Sequence, residues 1–513
     1  MQRNFRLLIL LLCGLVFLAQ RFPSAAANAR VDVILWFDTE DYLLPADDDA
    51  CKRLAQMLTE RHIRATFKVV GEKARVLERR GRQDVIAALK SHDIAFHANY
   101  HSVHPTPSEY LAECGLLDGV EEFARREGPG AVDVRRIFSV PTLGCYGQPG
   151  SSWAPQAIVA LKSIGVAPHG VPCYVDEGDH VGLDQQPFWY AGAINVYHMG
   201  QNYTRMELHS PAAVEPAKQN VAAIAERLHK QPRGGLISIF YHPCEWVHQE
   251  FWDGVNFRRG ANPPREQWKA PPQLPAAETE AAFRRFGEYM DYIQSIPGLR
   301  FVTAGDLPTI YPDPLRSHGA SEQDVAELAS GILSGEAKGV DFRVIGNRSY
   351  SAADQFELLT TALAKLIAGE KLPFPLVAKG LLGPDSQPPK ACDLNRIAWP
   401  AFRDTVRDLA SFIETERRVP ARVFIGADAV PPADFLKALA AVYDFHRKSG
   451  RLPSEQGVEM GKDLELLPAR HVAEDTPGLF GGWIIHREGF RAPKLLEQAR
   501  LQAWTLKPAI RGD

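Results

Sequence analysis

Three short stretches of the 513-residue chain set metal-ligating and proton-transferring side chains where apolar runs end. The first is Val31 to Phe37, which leads into Asp38-Thr39-Glu40-Asp41, three carboxylates within four residues. Crowding such charges is costly unless a cation or a proton offsets them. The cluster is therefore either a solvated turn or a metal and general-base site, and the apolar strand before it and Tyr42-Leu43-Leu44-Pro45 after it argue against a freely solvated turn. The second stretch holds His97 and His101, four residues apart, so one helical turn would bring both imidazoles to one face within reach of a single ion. Two histidines and one carboxylate leave coordination positions open for water and substrate, as a hydrolytic metal requires. Ala98 stands where a His-Glu-x-x-His peptidase would carry its glutamate, which disfavours that class. The third stretch, Gly235 to Tyr241, is an apolar strand that ends on His242.

These residues need a scaffold that gathers strand ends. Strands are predicted at Val31 to Phe37, Arg64 to Val70, Asp93 to Phe96, Arg135 to Val140, Gly235 to Tyr241 and Leu299 to Thr303, with helices at Asp49 to Arg61 and Arg82 to Ser91. Strands separated by helices predict an α/β fold with a parallel sheet, closed or nearly closed into a (β/α) barrel whose chemistry lies at the C-terminal ends of the strands. The proline- and glycine-rich stretch from Asn256 to Ala277 reads as an irregular loop close to His242, either a wall of a substrate groove or a surface excursion. Beyond Asp313 the chain reads as mainly α-helical with a weak internal repeat. Ser351 to Pro373, Pro400 to Pro420 and Pro432 to Pro453 each open on a cap or proline, carry Phe356, Phe402 or Phe435, and close on Leu-Pro or Val-Pro. The expected organisation is a leader at 1–29, a barrel at 30–312, a linker at 313–345 and a helical repeat region at 346–513.

Arg3 and Arg6 ahead of the apolar run Leu7 to Ala19, with Ala27-Asn28-Ala29 behind it, form the pattern of a cleaved secretory signal peptide, and a mature chain is expected to begin near Arg30, with an uncleaved anchor as the alternative. Loss of Arg3, Arg6 and Arg21 with the leader takes the formal charge from −4 to −7, which leaves no basic footprint for nucleic acid. Cys51, Cys114, Cys145, Cys173, Cys244 and Cys392 remain; none forms a Cys-x-x-Cys unit, and pairing of some is expected in an oxidising compartment.

In order and spacing the barrel stretches resemble the polysaccharide deacetylases, the NodB-homology or carbohydrate esterase 4 group. Leu35-Trp36-Phe37-Asp38-Thr39-Glu40-Asp41 is similar to that family's first motif, and Ala65-Thr66-Phe67-Lys68-Val69-Val70-Gly71 to its next strand. His92-Asp93-Ile94 with His97 to His101 is similar to its second motif, Ile239-Phe240-Tyr241-His242 to its fifth, and Phe301 to Leu307 to its closing strand. The resemblance covers about Val31 to Leu307. It implies a NodB-type barrel and a divalent metal, zinc above others, held by His97, His101 and Glu40 or Asp41. It also implies Asp38 as general base, His242 as general acid, and an N- or O-acetylated polysaccharide or peptidoglycan-type polymer outside the cytoplasm as substrate. His101 with His104 is the alternative ligand pair. Two features depart from the pattern: Thr39 separates the acids, and Ser139-Val140-Pro141 lacks the arginine that orients the base, with Tyr174-Val175-Asp176 only faintly similar to the fourth motif. The missing arginine supports an alternative, a catalytically impaired carbohydrate- or wall-binding protein on the same scaffold. The C-terminal units resemble pseudomurein-binding repeats, which implies attachment to a cell wall.

Overall fold

The computed structural model describes residues 29–184, 186–197, 200–334, 338–390, 392–453 and 457–512. The expected leader at 1–29 lies outside them except for its last residue. Nine strands build the barrel portion: β1 (Val31–Thr39), β2 (Thr66–Val69), β3 (Asp93–Phe96), β4 (Tyr146–Gly147), β5 (Cys173–Asp176), β6 (Phe188–Tyr190), β7 (Ala193–Tyr197), β8 (Gly235–Tyr241) and β9 (Leu299–Val302). A tenth, Lys507–Pro508, comes from the far end of the chain and pairs antiparallel with β6. From that edge the order is β6, β7, β5, β4, β3, β2, β1, β8, with β9 beside the first half of β1. All contacts from β7 to β8 are parallel, and β6 alone among the nine runs against its neighbour. The outcome is the expected (β/α) barrel, left open because β8 and the terminal strand do not pair.

Period-two alternation decides what each strand delivers. In β1, Val33, Leu35 and Phe37 pack outward with the helices, while Ile34 and Trp36 join the barrel interior. Asp38 continues the inward series at the mouth. In β8, Ile237, Ile239 and Tyr241 face the helices and Leu236 and Phe240 face inward, with Ser238 accepting a hydrogen bond from the Trp36 indole at 2.9 Å. His242 is the next inward position.

Three expectations change. Arg135 to Val140 is not a strand but the end of the helix Leu116–Phe138, since Val134 and Phe138 are buried one turn apart and Ser139 closes the helix in the left-handed region. Arg135 lies close against Gly165, and Arg136 pairs with Glu78 at 2.6 Å. The helix expected from Asp49 begins at Pro45, a residue suited to a first helical turn. The stretch 313–345 is no bare linker: it holds helices Pro314–His318 and Glu322–Leu333, whose Leu315, Val325 and Leu328 are buried in a second core.

That second core unites Glu322–Leu333 with the helices Ala352–Ile367, Trp399–Glu416 and Pro432–Ser449. Phe402 and Phe435 stack at 5.6 Å, and Phe356 meets Trp504 edge-on at 6.1 Å. Short hairpins precede two of the helices, Arg343–Ile345 with Arg348–Tyr350 and Val423–Ile425 with Asp428–Val430. Each turns on two residues, the first a glycine at positive φ, Gly346 at 59° and Gly426 at 64°, the position in a II′ turn that glycine fills without strain. The region 346–513 does not stay apart. Phe480, Leu495, Leu496, Ala499 and Leu506 belong to the barrel's own outer core. Among the described residues no helix is long and apolar enough to cross a membrane, and all six described cysteines are free.

Candidate active site

Parallel register places the chemistry. Asp38 lies opposite Lys68 of β2, and Phe37 lies opposite Tyr241, so His242 follows at the level of Asp38 on the other side of β1. His97 follows Phe96 at the end of β3, and Glu177 follows Asp176 at the end of β5. All of these sit at C-terminal strand ends, as a barrel site requires. Of these, His97, Glu177 and His242 line a pocket of about 400 Å³.

Glu40, His97 and His101 converge there, each with a ligand atom within 4.8 Å of the others. Glu40 Oε2 lies 3.6 Å from His97 Nε2 and 2.9 Å from His101 Nε2. The outward-facing nitrogens fix the tautomers. His97 Nδ1–H donates to the Gly147 carbonyl at 2.9 Å, and His101 Nδ1 lies 2.6 Å from Ser102 Oγ, which itself donates to Asp253 at 3.3 Å. With Nδ1 so engaged, both Nε2 atoms present lone pairs toward a carboxylate, and His101 Nε2 makes no hydrogen bond despite its burial. Three buried acceptors facing one another repel unless a cation stands between them. Burial pushes the Glu40 carboxyl well above its usual range and pulls the imidazoles down, His101 to about 4, so both histidines are in the neutral form that ligates. The donor set of two imidazoles and one carboxylate fits a hydrolytic divalent site with positions left open.

The pair His97 and His101 was expected to share a helix face. They instead lie on an irregular turn after β3, with Ala98 at φ 66° and His101 at φ 61°, and this kinked backbone rather than a helical repeat folds both rings inward, 4.9 Å apart. Asp41 is not among the converging ligands. It follows the outward alternation of Thr39, and its carboxylate accepts from the Leu43 amide at 2.7 Å and lies 3.1 Å from His248 Nδ1. His104 is likewise turned away, its Nδ1 2.7 Å from Glu109.

Beside the ligand set stands a proton-transfer pair. Asp38 is fully buried, with His242 Nε2 3.6 Å from Oδ2 and Lys68 Nζ 2.7 Å from Oδ1. Lys68, also without exposure, reaches Glu177 with its other donors. Burial works against the lysine's charge, but the two carboxylates outweigh it and keep its pKa above the usual value. Sequence reasoning found no arginine to orient the base; a lysine in the middle of an otherwise apolar strand does it, and Thr66-Phe67-Lys68-Val69 carried that signal. Burial also opposes protonation of His242, yet its Nδ1–H donates to Glu245 at 2.9 Å, and with the charges of Glu40 and Asp38 this raises its pKa to about 9. Glu245, held near 2 by His242 and by Arg205, is an acceptor-only partner. Asp176, the weak candidate for a fourth motif, faces Gln148 and His180 instead, and its neighbour Glu177 lines the pocket. Lys68, Glu177, Glu245 and Asp253 were not foreseen as site residues, nor was Trp483, whose ring meets His101 edge-on at 5.5 Å.

No protein-family model and no curated protein matches the chain. Among solved structures it shows a distant likeness to a peptidoglycan N-acetylglucosamine deacetylase, at 13% identity over 54% of this chain and 86% of the other, with a TM-score of 0.26. It is similar to the CE4 domain of a multidomain xylanase from a Trinervitermes trinervoides hindgut metagenome, at 10% identity over 55% and 91%, TM-score 0.28. A 4-alpha-glucanotransferase from Thermococcus litoralis gives 10% identity over 60% and 46%, TM-score 0.37. Polysaccharide deacetylases recur among these neighbours, but likenesses this distant assign neither chemistry nor substrate.

Proposed function

We propose that the protein is a divalent-metal-dependent hydrolase that removes N-acetyl or O-acetyl groups from a polysaccharide outside the cytoplasm. The observation that carries this is the convergence of Glu40, His97 and His101 with His242 in the lining of one pocket, with the buried Asp38 3.6 Å from His242. Glu40, His97 and His101 would hold the ion, zinc by the donor set; when bound, such an ion supplies Lewis acidity that polarises a carbonyl and acidifies water. Asp38 accepts the proton of the attacking water, its carboxylate oriented by Lys68 at 2.7 Å. His242, protonated through Glu245, donates to the departing amine or alcohol. The alternative of a binding protein that has lost turnover rested on the absent arginine, and Lys68 beside Asp38 weighs against it.

Export rests on the N-terminal leader pattern. Attachment to a wall polymer through the helical units is the accompanying proposal. It is supported by Val344 and Phe424, which stand exposed one residue before the two equivalent Ile-Gly turns. The test of function is metal analysis together with acetate release from chitooligosaccharides, peptidoglycan and acetylated xylan. One bound divalent ion and release from one of these polymers is expected. His242→Ala should keep the metal and lose release. Metal without release from any saccharide would redirect the assignment to another ester or amide, and neither would favour the binder.

A further inference from the structure

One wall of the pocket comes from no strand end of the barrel. Residues 480–486 arrive from the far end of the chain and are fixed from three sides. Ser151 Oγ donates to the Phe480 carbonyl at 2.7 Å, and the amides of Arg259 and Gly260 donate to the carbonyls of Ile484 and Ile485 at 2.9 and 2.7 Å. His486 bridges the Phe480 carbonyl at 2.6 Å and Thr106 Oγ1 at 3.0 Å. Ile485 is buried in a small core with Tyr42, Trp252 and Phe257. Held in this way, the two preceding side chains line the pocket: Trp483 beside the ligand His101, and Ile484, which is 45% exposed. Gly150 makes the approach possible, since a Cβ there would stand 2.5 Å from the Trp483 ring. On the opposite side of the catalytic line Phe251 lies against His242, ring centroids 4.8 Å apart. Polar groups from Glu250, Asp253 and Arg258 complete the lining.

An apolar lining with a few polar groups suits a ligand with both C–H faces and hydroxyl edges, and a pocket near the lower end of the ~300–1,000 Å³ range takes a small portion of a polymer. We propose that Trp483 and Ile484 are substrate-binding residues: the returning C-terminal segment forms an apolar wall against which a sugar ring lies, so the barrel portion alone is an incomplete site. This inference rests on the saccharide reading given above. An indole is well suited to the role because it offers a large rigid surface at little cost in conformational entropy.

The test uses the zinc-loaded full chain carrying His242→Asn to stop turnover, with chitotriose as the probe and calorimetric titration as the readout. Adding Trp483→Ala should weaken binding at least tenfold and Trp483→Phe less than threefold, with zinc content unchanged in both. Ile484→Ser, at a side chain 45% exposed, should weaken binding about threefold and gives the answer should Trp483→Ala fail to fold. Chitotriose binding that neither Trp483→Ala nor Ile484→Ser alters overturns the wall alone. Absence, before either change, of binding to chitotriose, to peptidoglycan fragments and to acetylated xylotriose alike overturns the saccharide reading and the wall with it.

Discussion

Two clusters of buried charge lie at different places in this molecule, and they are built on opposite plans. At the junction of the barrel with the helical region, Lys507 Nζ meets Asp313 at 2.7 Å and Asp354 at 3.0 Å, and Arg316 meets the same two carboxylates at 3.3 and 2.6 Å. Two cations face two anions, and the Ser351 amide donates to Asp354 at 2.9 Å, so the set closes on itself. At the barrel mouth three carboxyls, Asp38, Glu40 and Glu177, face Lys68 and the protonated His242, burial opposes the charge of Glu40 and Glu177, and two histidine lone pairs point toward Glu40. A closed cluster fixes structure. An open one stays unfavourable until something positive enters, and such unbalanced sites in clefts are where ligands and chemistry are found.

Breaking each cluster gives the largest contrast. His97→Ala and His101→Ala should each remove bound zinc and lower acetate release by more than ~10³-fold, read by metal analysis and product assay, with little loss of stability because an unfavourable arrangement is being relieved. Asp354→Ala should do the reverse. It leaves the buried Lys507 and the partly exposed Arg316 with only Asp313 of their two carboxylates, at a cost of about 1–3 kcal/mol in denaturant unfolding, while zinc content stays the same. Full zinc occupancy in a protein lacking both His97 and His101 would sink the ligand assignment.

The same contrast explains what the sequence let one read. Asp38, His97, His101 and His242 stood out because each breaks an apolar run at a strand end, and a barrel brings strand ends together whatever the loops between them do. The alternation Ile34, Trp36, Asp38, Glu40 also separates Glu40 from Asp41, so that choice was open to a stricter use of the two-residue period. Lys68 was visible in the same way, an inward cation in an apolar strand. Trp483 was not legible: 382 positions separate it from His101, and only tertiary packing of the terminal segment joins them. Arg135 to Val140 misled because a short Ile-Phe-Ser-Val run suits a strand as well as the last turn of an amphipathic helix, and the two-residue β4 that does the work is too short to show a period.

Within the open cluster, the internal cation is the next thing to remove. Lys68→Met removes the cation that bridges Asp38 and Glu177, so the base loses the group that orients it. A fall in kcat on the order of 10²-fold is expected, the size usual for loss of one proton-transfer group, with zinc retained. A smaller change follows from the acid. His242 holds its proton up to about pH 9, so kcat/KM should decline as pH rises through that value and the imidazole becomes neutral. Glu245→Gln withdraws the acceptor that raises this pKa, and the alkaline limb should move to lower pH. A limb that stays in place would mean that His242 is not the group being titrated.

The smallest expected effect separates Asp41 from Glu40, neighbours whose roles the alternation of β1 divides. Glu40→Gln replaces an anionic ligand by a neutral one and should weaken zinc binding strongly. Asp41→Asn keeps the shape of a side chain that faces the Leu43 amide and His248, so zinc content should match the parent within a factor of about two, with at most ~1–3 kcal/mol lost from a buried hydrogen-bonded pair. The two variants differ by one residue of position and one methylene, so their comparison isolates which carboxylate the ion meets. Equal zinc loss in both would mean that the strand end rotates to bring Asp41 inward when metal binds, and the separation of an outward structural acid from an inward ligating one would then have to be abandoned.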